Sequence, residues 1–225
     1  MKPKLIAIDG PAGVGKSTLA RGLAAALGFR YIDTGALFRA AAWWLLDQGL
    51  DLCREEPVLE RLLQMNLQIY QDERQTMGIR INGRDATPWL RSEEVAQAAS
   101  TLAVYPGVRR ILVDLYRREG SSGNTVMEGR DIGTVAFPDA CLKLFVTATE
   151  EARARRRYLE HRQNSSALEA SQVEESLRQR DARDQQRKHA PLQPAEDAVL
   201  LDTTHLSVEE VFQKALSLAR EKLCT

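Results

Sequence analysis

The chain has 225 residues, of which 44% are hydrophobic and 28% charged, with 31 lysines and arginines balancing 31 aspartates and glutamates. That length and composition suit one α/β domain with modest insertions and exclude a fibrous or disordered chain, while zero formal net charge leaves no overall basic field to hold a nucleic-acid backbone. Nothing approaches about 18 consecutive apolar residues, and Met1 runs into LIAID without a signal peptide's apolar region or cleavage site, so a cytoplasmic protein without a membrane span is expected.

Residues 4–9 form a short apolar run bounded by Gly10 and Pro11, the pattern of a strand buried on both faces of a parallel sheet. A helix is predicted over 17–27, where Leu19, Leu23 and Leu27 recur every four residues and Gly28 supplies the stop. Residues 29–32 read as a second strand. Residues 35–48 read as a helix with Leu37, Ala41, Trp44 and Leu45 on its buried stripe and Gly49 at its end. The stretch 67–88 changes character: LQIYQ, GIRI and the turn-prone NGRD at 82–85 imply an inserted element of short antiparallel strands. Helices over 93–105 and 107–116 are broken at Pro106, and a GSSGN loop follows. Strands are predicted at 125–128, 142–147 and 198–201, and a last helix at 207–223. Between 150 and 189, arginines alternate with Glu, Gln and Asp around a polar turn at 164–166, giving two charged helices. Strands separated by helices imply a parallel α/β sheet, and no repeat or linker divides the chain.

Residues 10–17, GPAGVGKS, match GxxxxGK[ST] between a predicted strand and a predicted helix, the context a phosphate-binding loop requires. Gly10, Pro11, Ala12, Gly13, Val14 and Gly15 form the loop. Its glycines let backbone N–H groups approach phosphate oxygens, and the helix N-terminus adds a partial positive charge. Lys16 is expected at the β and γ phosphates of ATP, Ser17 at Mg2+, and Thr18 near the α phosphate. A phosphate loop alone does not separate a kinase from a switch GTPase or a motor. The chain has no NKxD-type guanine reader. Cys53, Cys141 and Cys224 fit neither a disulfide framework nor zinc spacing; His161, His189 and His205 form no ligand set either.

Asp33-Thr34-Gly35 follows the second strand, so Thr34 can cap the next helix at the carboxyl edge of the sheet, with Arg39 one turn on. These are either an anion site or a plain helix start with a surface arginine. Arg130 and Asp131 likewise follow a strand, placing a guanidinium for a phosphate beside an acceptor for an amino group. Arg180, Arg183, Asp184 and Arg187 share one helical face at i, i+3, i+4 and i+7, and Arg153 and Arg157 lie four apart. They form either a solvated, salt-bridged helix pair or a mobile arginine-rich lid over phosphates.

The blocks IDGPAGVGKST, DTGALFRA, EVAQAAS with VRR, MEGRDIGTVAFPDA, and RDARDQQRKHAPL through LLDTT occur in the order found in bacterial cytidylate kinases, nucleoside monophosphate kinases of the P-loop class. The resemblance spans nearly the whole chain. It implies a five-stranded parallel sheet flanked by helices, with core segments 1–33, 108–150 and 190–225, a nucleotide-binding part with the β insertion at 34–107, and a helical lid at 151–189. It also implies transfer of the γ-phosphoryl group of ATP to CMP or dCMP, with Mg2+, by a monomer with no nucleic-acid or membrane partner. A kinase for UMP or shikimate is the alternative. In the implied site, Ser100, Arg109 and Asp131 read cytosine; Thr34, Arg39, Arg130 and Arg187 hold the CMP phosphate; Arg180 and Asp184 reach the ribose; Arg153 and Arg157 clamp ATP. Lys16, Arg130, Arg180 and Arg187 neutralise the transferring group, and the two nucleotides bind on opposite sides of a cleft that the lid closes. Thr34, Phe38 and Glu128 stand where the family often has Ser, Tyr and Asp, and Glu128 is expected to affect the orientation of Arg130.

Overall fold

β1, Leu5–Asp9, is buried at every residue because it is the middle strand of a five-stranded sheet with order β2-β6-β1-β7-β8. The computed structural model describes residues 3–72, 76–163 and 170–223. β2 is Arg30–Asp33, β6 Thr125–Glu128, β7 Leu142–Thr147 and β8 Val199–Asp202. β1 pairs in parallel with β6, Ile8 opposite Glu128, and with β7, Asp9 opposite Phe145. Parallel order puts the carboxyl ends of β1 and β6 side by side, where ligands bind in open α/β sheets.

Contacts divide the chain into two compact units, Met1–Tyr31 with Ser122–Thr225, and Ile32–Ser121. In the first, α1 (Lys16–Leu27) buries Leu19, Ala20, Leu23 and Ala24, an i, i+4 stripe. Burying a leucine side chain stabilises by about 1.5–3 kcal/mol. Gly28 ends α1 in the left-handed conformation, its N–H on the carbonyls of Ala24 and Ala25. The charged segment forms α6 (Glu150–Gln163) and α7 (Ala170–Gln186), which pack on each other, and α8 (Val208–Leu223) packs on α1. The turn expected at 164–166 lies outside the described residues. Among the described residues, no helix is long and apolar enough to cross a membrane.

The second unit holds α2 (Thr34–Asp47), α3 (Glu55–Leu62), α4 (Glu93–Leu102), α5 (Pro106–Ser121) and an antiparallel sheet. Its strands are β3 (Leu67–Gln71), β4 (Met77–Ile81) and β5 (Arg84–Asp85). Asn82 and Gly83 turn β4 into β5, both with positive φ, the turn that the Asn-Gly pair favours. α2 packs against α4, and α3 against α5. Two differences from expectation stand out: α3 was not foreseen, and α4 stops at Leu102 rather than 105, four residues before Pro106 opens α5.

Candidate active site

The end of β1 leads into the phosphate loop. Gly10 has φ 146°, and a Cβ there would lie 2.1 Å from the Val146 carbonyl oxygen, so only glycine lets the loop leave the sheet at this point. Gly13, at φ 77°, lies under α6: a Cβ would meet Arg153 Cβ at 3.1 Å. Gly15 precedes α1 in the left-handed conformation, at a helix N-terminus without a side-chain cap, where the first amides have no intrahelical acceptor. Lys16 is buried, its ammonium donating to the Pro11 carbonyl at 2.5 Å. Burial pulls its pKa down to about 7; Arg130 and Arg180 push the same way, against Glu128 and Asp9.

Ser17 donates its hydroxyl to Glu128 at 3.0 Å, and the other Glu128 oxygen accepts from the Tyr31 hydroxyl. Glu128 thus grips the loop's serine from the neighbouring strand. It contributes to the field at Arg130, but less than Asp184 does. The Arg130 Nε donates to Asp184 at 2.8 Å, and the Arg187 guanidinium lies 3.5 Å from the same carboxylate. Burial opposes charge on both Arg130 and Asp184. Their mutual attraction prevails, holding Arg130 above its ordinary pKa and, with Arg187 and Arg180, Asp184 below its own. Arg130, Arg180 and Arg187 therefore gather around Asp184, and Lys16 of the loop lies within the field of Arg130 and Arg180.

The arginine-rich helices meet the loop through a second carboxylate. Arg153 of α6 pairs with Asp181 of α7 and donates to the Ala12 carbonyl at 3.3 Å; Asp181 in turn accepts from the Ala12 N–H at 3.3 Å. Asp181 was not among the expected site residues. Arg157 lies apart, on the outer part of α6 with Glu160 at 3.0 Å. Arg187 falls just beyond α7 rather than on its face, and reaches back to the Asp184 carbonyl at 3.3 Å. Asp131 is buried and precedes a π-helical turn, Ile132–Ala136.

In the other unit, Thr34 does not cap α2. Asp33 is the cap, accepting from the Ala36 N–H at 2.9 Å with one oxygen and from Arg39 at 2.8 Å with the other, and Thr34 opens the helix, buried. Both residue types can cap; Asp33 has the extended backbone the position needs. Ser100 on α4 and Arg109 on α5 are buried, and the Arg109 guanidinium lies 5.8 Å from the ring centre of Phe38, joining α5 to α2.

A family model described as cytidylate kinase matches residues 6–221. The chain belongs to the cytidylate kinase family. A cytidylate kinase of Desulfitobacterium hafniense is 46% identical over 226 residues, which cover 100% of this chain and 97% of that one. One of Solibacter usitatus is 45% identical over 224 residues, covering 99% and 94%. A crystal structure of a protein from Eubacterium ventriosum shares the fold, with TM-score 0.51 at 11% identity over 98% of this chain and 99% of that one.

Proposed function

We propose that the chain transfers the γ-phosphoryl group of ATP to CMP or dCMP, giving ADP and CDP or dCDP. The observation that carries this reading is the gathering of Arg130, Arg180 and Arg187 around Asp184, with Lys16 of the phosphate loop in the field of Arg130 and Arg180, in a chain related over its full length to cytidylate kinases.

The phosphate loop of residues 10–18, through its N–H groups other than at Pro11, and Lys16 hold the ATP phosphates, with Arg153 and Arg157 supplied by the helical segment 151–189. An acceptor phosphate oxygen forms the new bond to the γ phosphorus as the bond to the ADP oxygen breaks. No strong general base is required, since a phosphate oxygen is already anionic; positioning and charge neutralisation lower the barrier. Arg130 and Arg187 neutralise the acceptor phosphate, Asp131 accepts from the cytosine amino group, and Arg180 with Asp184 reaches the ribose. In the unit of residues 32–121, Thr34 and Arg39 serve the phosphate and Ser100 and Arg109 the base. Ser17 and Glu128 present hard oxygens side by side, a donor set that fits Mg2+, an ion that keeps few protein ligands and fills its shell with water and phosphate oxygens. When bound, Mg2+ neutralises phosphate charge. We read the working form as a monomer, acting in the cytoplasm.

The test is ADP formation with CMP, dCMP, UMP, AMP and shikimate in parallel. CMP or dCMP should give the highest kcat/KM. An optimum with UMP or shikimate would overturn the acceptor assignment.

A further inference from the structure

Asp9 is a buried carboxylate that the reaction above leaves without a task. It ends β1, and two sets of bonds run from this end of the strand to the segment after β6. The Gly129 N–H donates to the Ile8 carbonyl at 2.9 Å, extending the β1–β6 ladder by one residue. Three residues later, the Ile132 N–H donates to one Asp9 oxygen at 2.9 Å and the Gly133 N–H to the other at 2.8 Å. Between these anchors the chain carries two residues, Arg130 and Asp131.

We propose that Asp9 is a positioning residue for the acceptor, fixing the far end of the short arch that presents Arg130 and Asp131. The inference rests on the assignment of those two residues to the acceptor. The anchor is rigid on its own side, because Asp9 pairs in register with Phe145 and the following Gly10 lies against the Val146 carbonyl. It is also close-packed on the far side: a Cβ at Gly133 would lie 3.5 Å from the Asp9 carboxylate and 3.0 Å from the Lys143 side chain.

The residue type follows from the geometry. Two parallel N–H donors need two acceptors, and a carboxylate offers both. Asparagine has the same shape but one acceptor, and its NH2 would face one of the N–H groups. Alanine would strand both donors in a buried site. A carboxylate buried at the end of a central strand is also a poor choice for packing alone, and local choices of that kind cluster at functional sites. Asp131 and Lys16 are the charged groups whose fields act on it, with opposite signs.

Asp9→Asn and Gly133→Ala test the proposal, assayed beside Arg130→Ala and Asp131→Ala. Measured quantities are kcat and KM for CMP, and the Kd of a non-hydrolysable ATP analogue. Asp9→Asn should lower kcat/KM for CMP by roughly ten- to a hundredfold, the scale of an ångström-level misplacement, while the ATP-analogue Kd changes less than about threefold. Gly133→Ala disturbs the same anchor without altering β1, and should give a smaller loss of the same selectivity; it decides the matter if Asp9→Asn does not fold. Unchanged CMP kinetics in the folded variants, or equal losses for both nucleotides, would overturn the inference. Should Arg130→Ala and Asp131→Ala also leave CMP kinetics untouched, the acceptor assignment itself fails; if they impair CMP while the Asp9 and Gly133 variants do not, only the positioning role falls.

Discussion

Among the buried carboxylates, Asp9, Glu128 and Asp184 are each held in place by different physics. Asp184 is kept charged by three arginines. Glu128 accepts two hydroxyl hydrogen bonds, from Ser17 and Tyr31. Glu128→Gln keeps an oxygen for Ser17 but removes the charge, so the Mg2+ concentration giving half-maximal rate should rise about 10- to 100-fold, as for other groups that support a metal shell. An unchanged Mg2+ requirement would detach Glu128 from the metal. Asp9 has the opposite balance from Asp184. Burial outweighs its two backbone hydrogen bonds and raises its pKa from 3.8 to about 6. The folded chain therefore binds this proton more tightly than the unfolded chain does. Asp9 costs folding nothing below the unfolded pKa, and its penalty grows to about 3 kcal/mol as pH rises past the folded value. The difference in unfolding free energy between Asp9→Asn and the parent chain should accordingly shift by about 3 kcal/mol in favour of the variant between about pH 3 and pH 8. Denaturant titrations at several pH values measure it, and a difference independent of pH would sink the burial account.

At the scale of elements, Arg153 and Asp181 tie α6, α7 and the loop together through a buried ion pair. Removing one partner strands the other, so Arg153→Ala should cost about 3–5 kcal/mol of stability, whereas an apolar replacement of both, Arg153→Met with Asp181→Leu, should recover most of it. If Arg153 also clamps ATP, the KM for ATP stays raised in the recovered double variant. A normal KM there would reduce Arg153 to a structural tie. None of this pairing was legible beforehand. The alternation of arginine and acid predicts two charged helices, but which carboxylate meets which guanidinium depends on how helices pack, and that leaves no periodic trace. Elements with a strong local pattern were legible: the strands at 125–128 and 142–147 have the expected bounds, and α1 starts one residue early. α3 was not, because eight residues with only Val58 and Leu62 buried, and Pro57 within the first turn, show little stripe. The π-helical turn after Asp131 was illegible for a tertiary reason: its first N–H groups are held by Asp9, more than 120 residues away.

For the whole molecule, the chain leaves its first unit after Tyr31 and returns at Ser122, so residues 32–121 form a compact body with its own helix packing and its own sheet. The phosphate loop and the cluster around Asp184 belong entirely to the first unit, whereas Thr34, Arg39, Ser100 and Arg109 belong to the second. This division makes the acceptor assignment testable one ligand at a time, because a bound ligand suppresses the local openings through which amides exchange. An ATP analogue alone should slow exchange over residues 10–18 and leave 34–39 and 100–109 nearly unchanged. CMP alone should slow 34–39 and 100–109, together with Arg130 and Asp131 in the first unit. UMP at the same concentration should protect them less, because a site with an acceptor for the cytosine amino group leaves that acceptor unpaired when the group is absent. Hydrogen-exchange mass spectrometry resolves these segments. If CMP protects residues 129–133 but nothing within 32–121, Thr34, Arg39, Ser100 and Arg109 leave the site, and discrimination of the base rests on Asp131 alone.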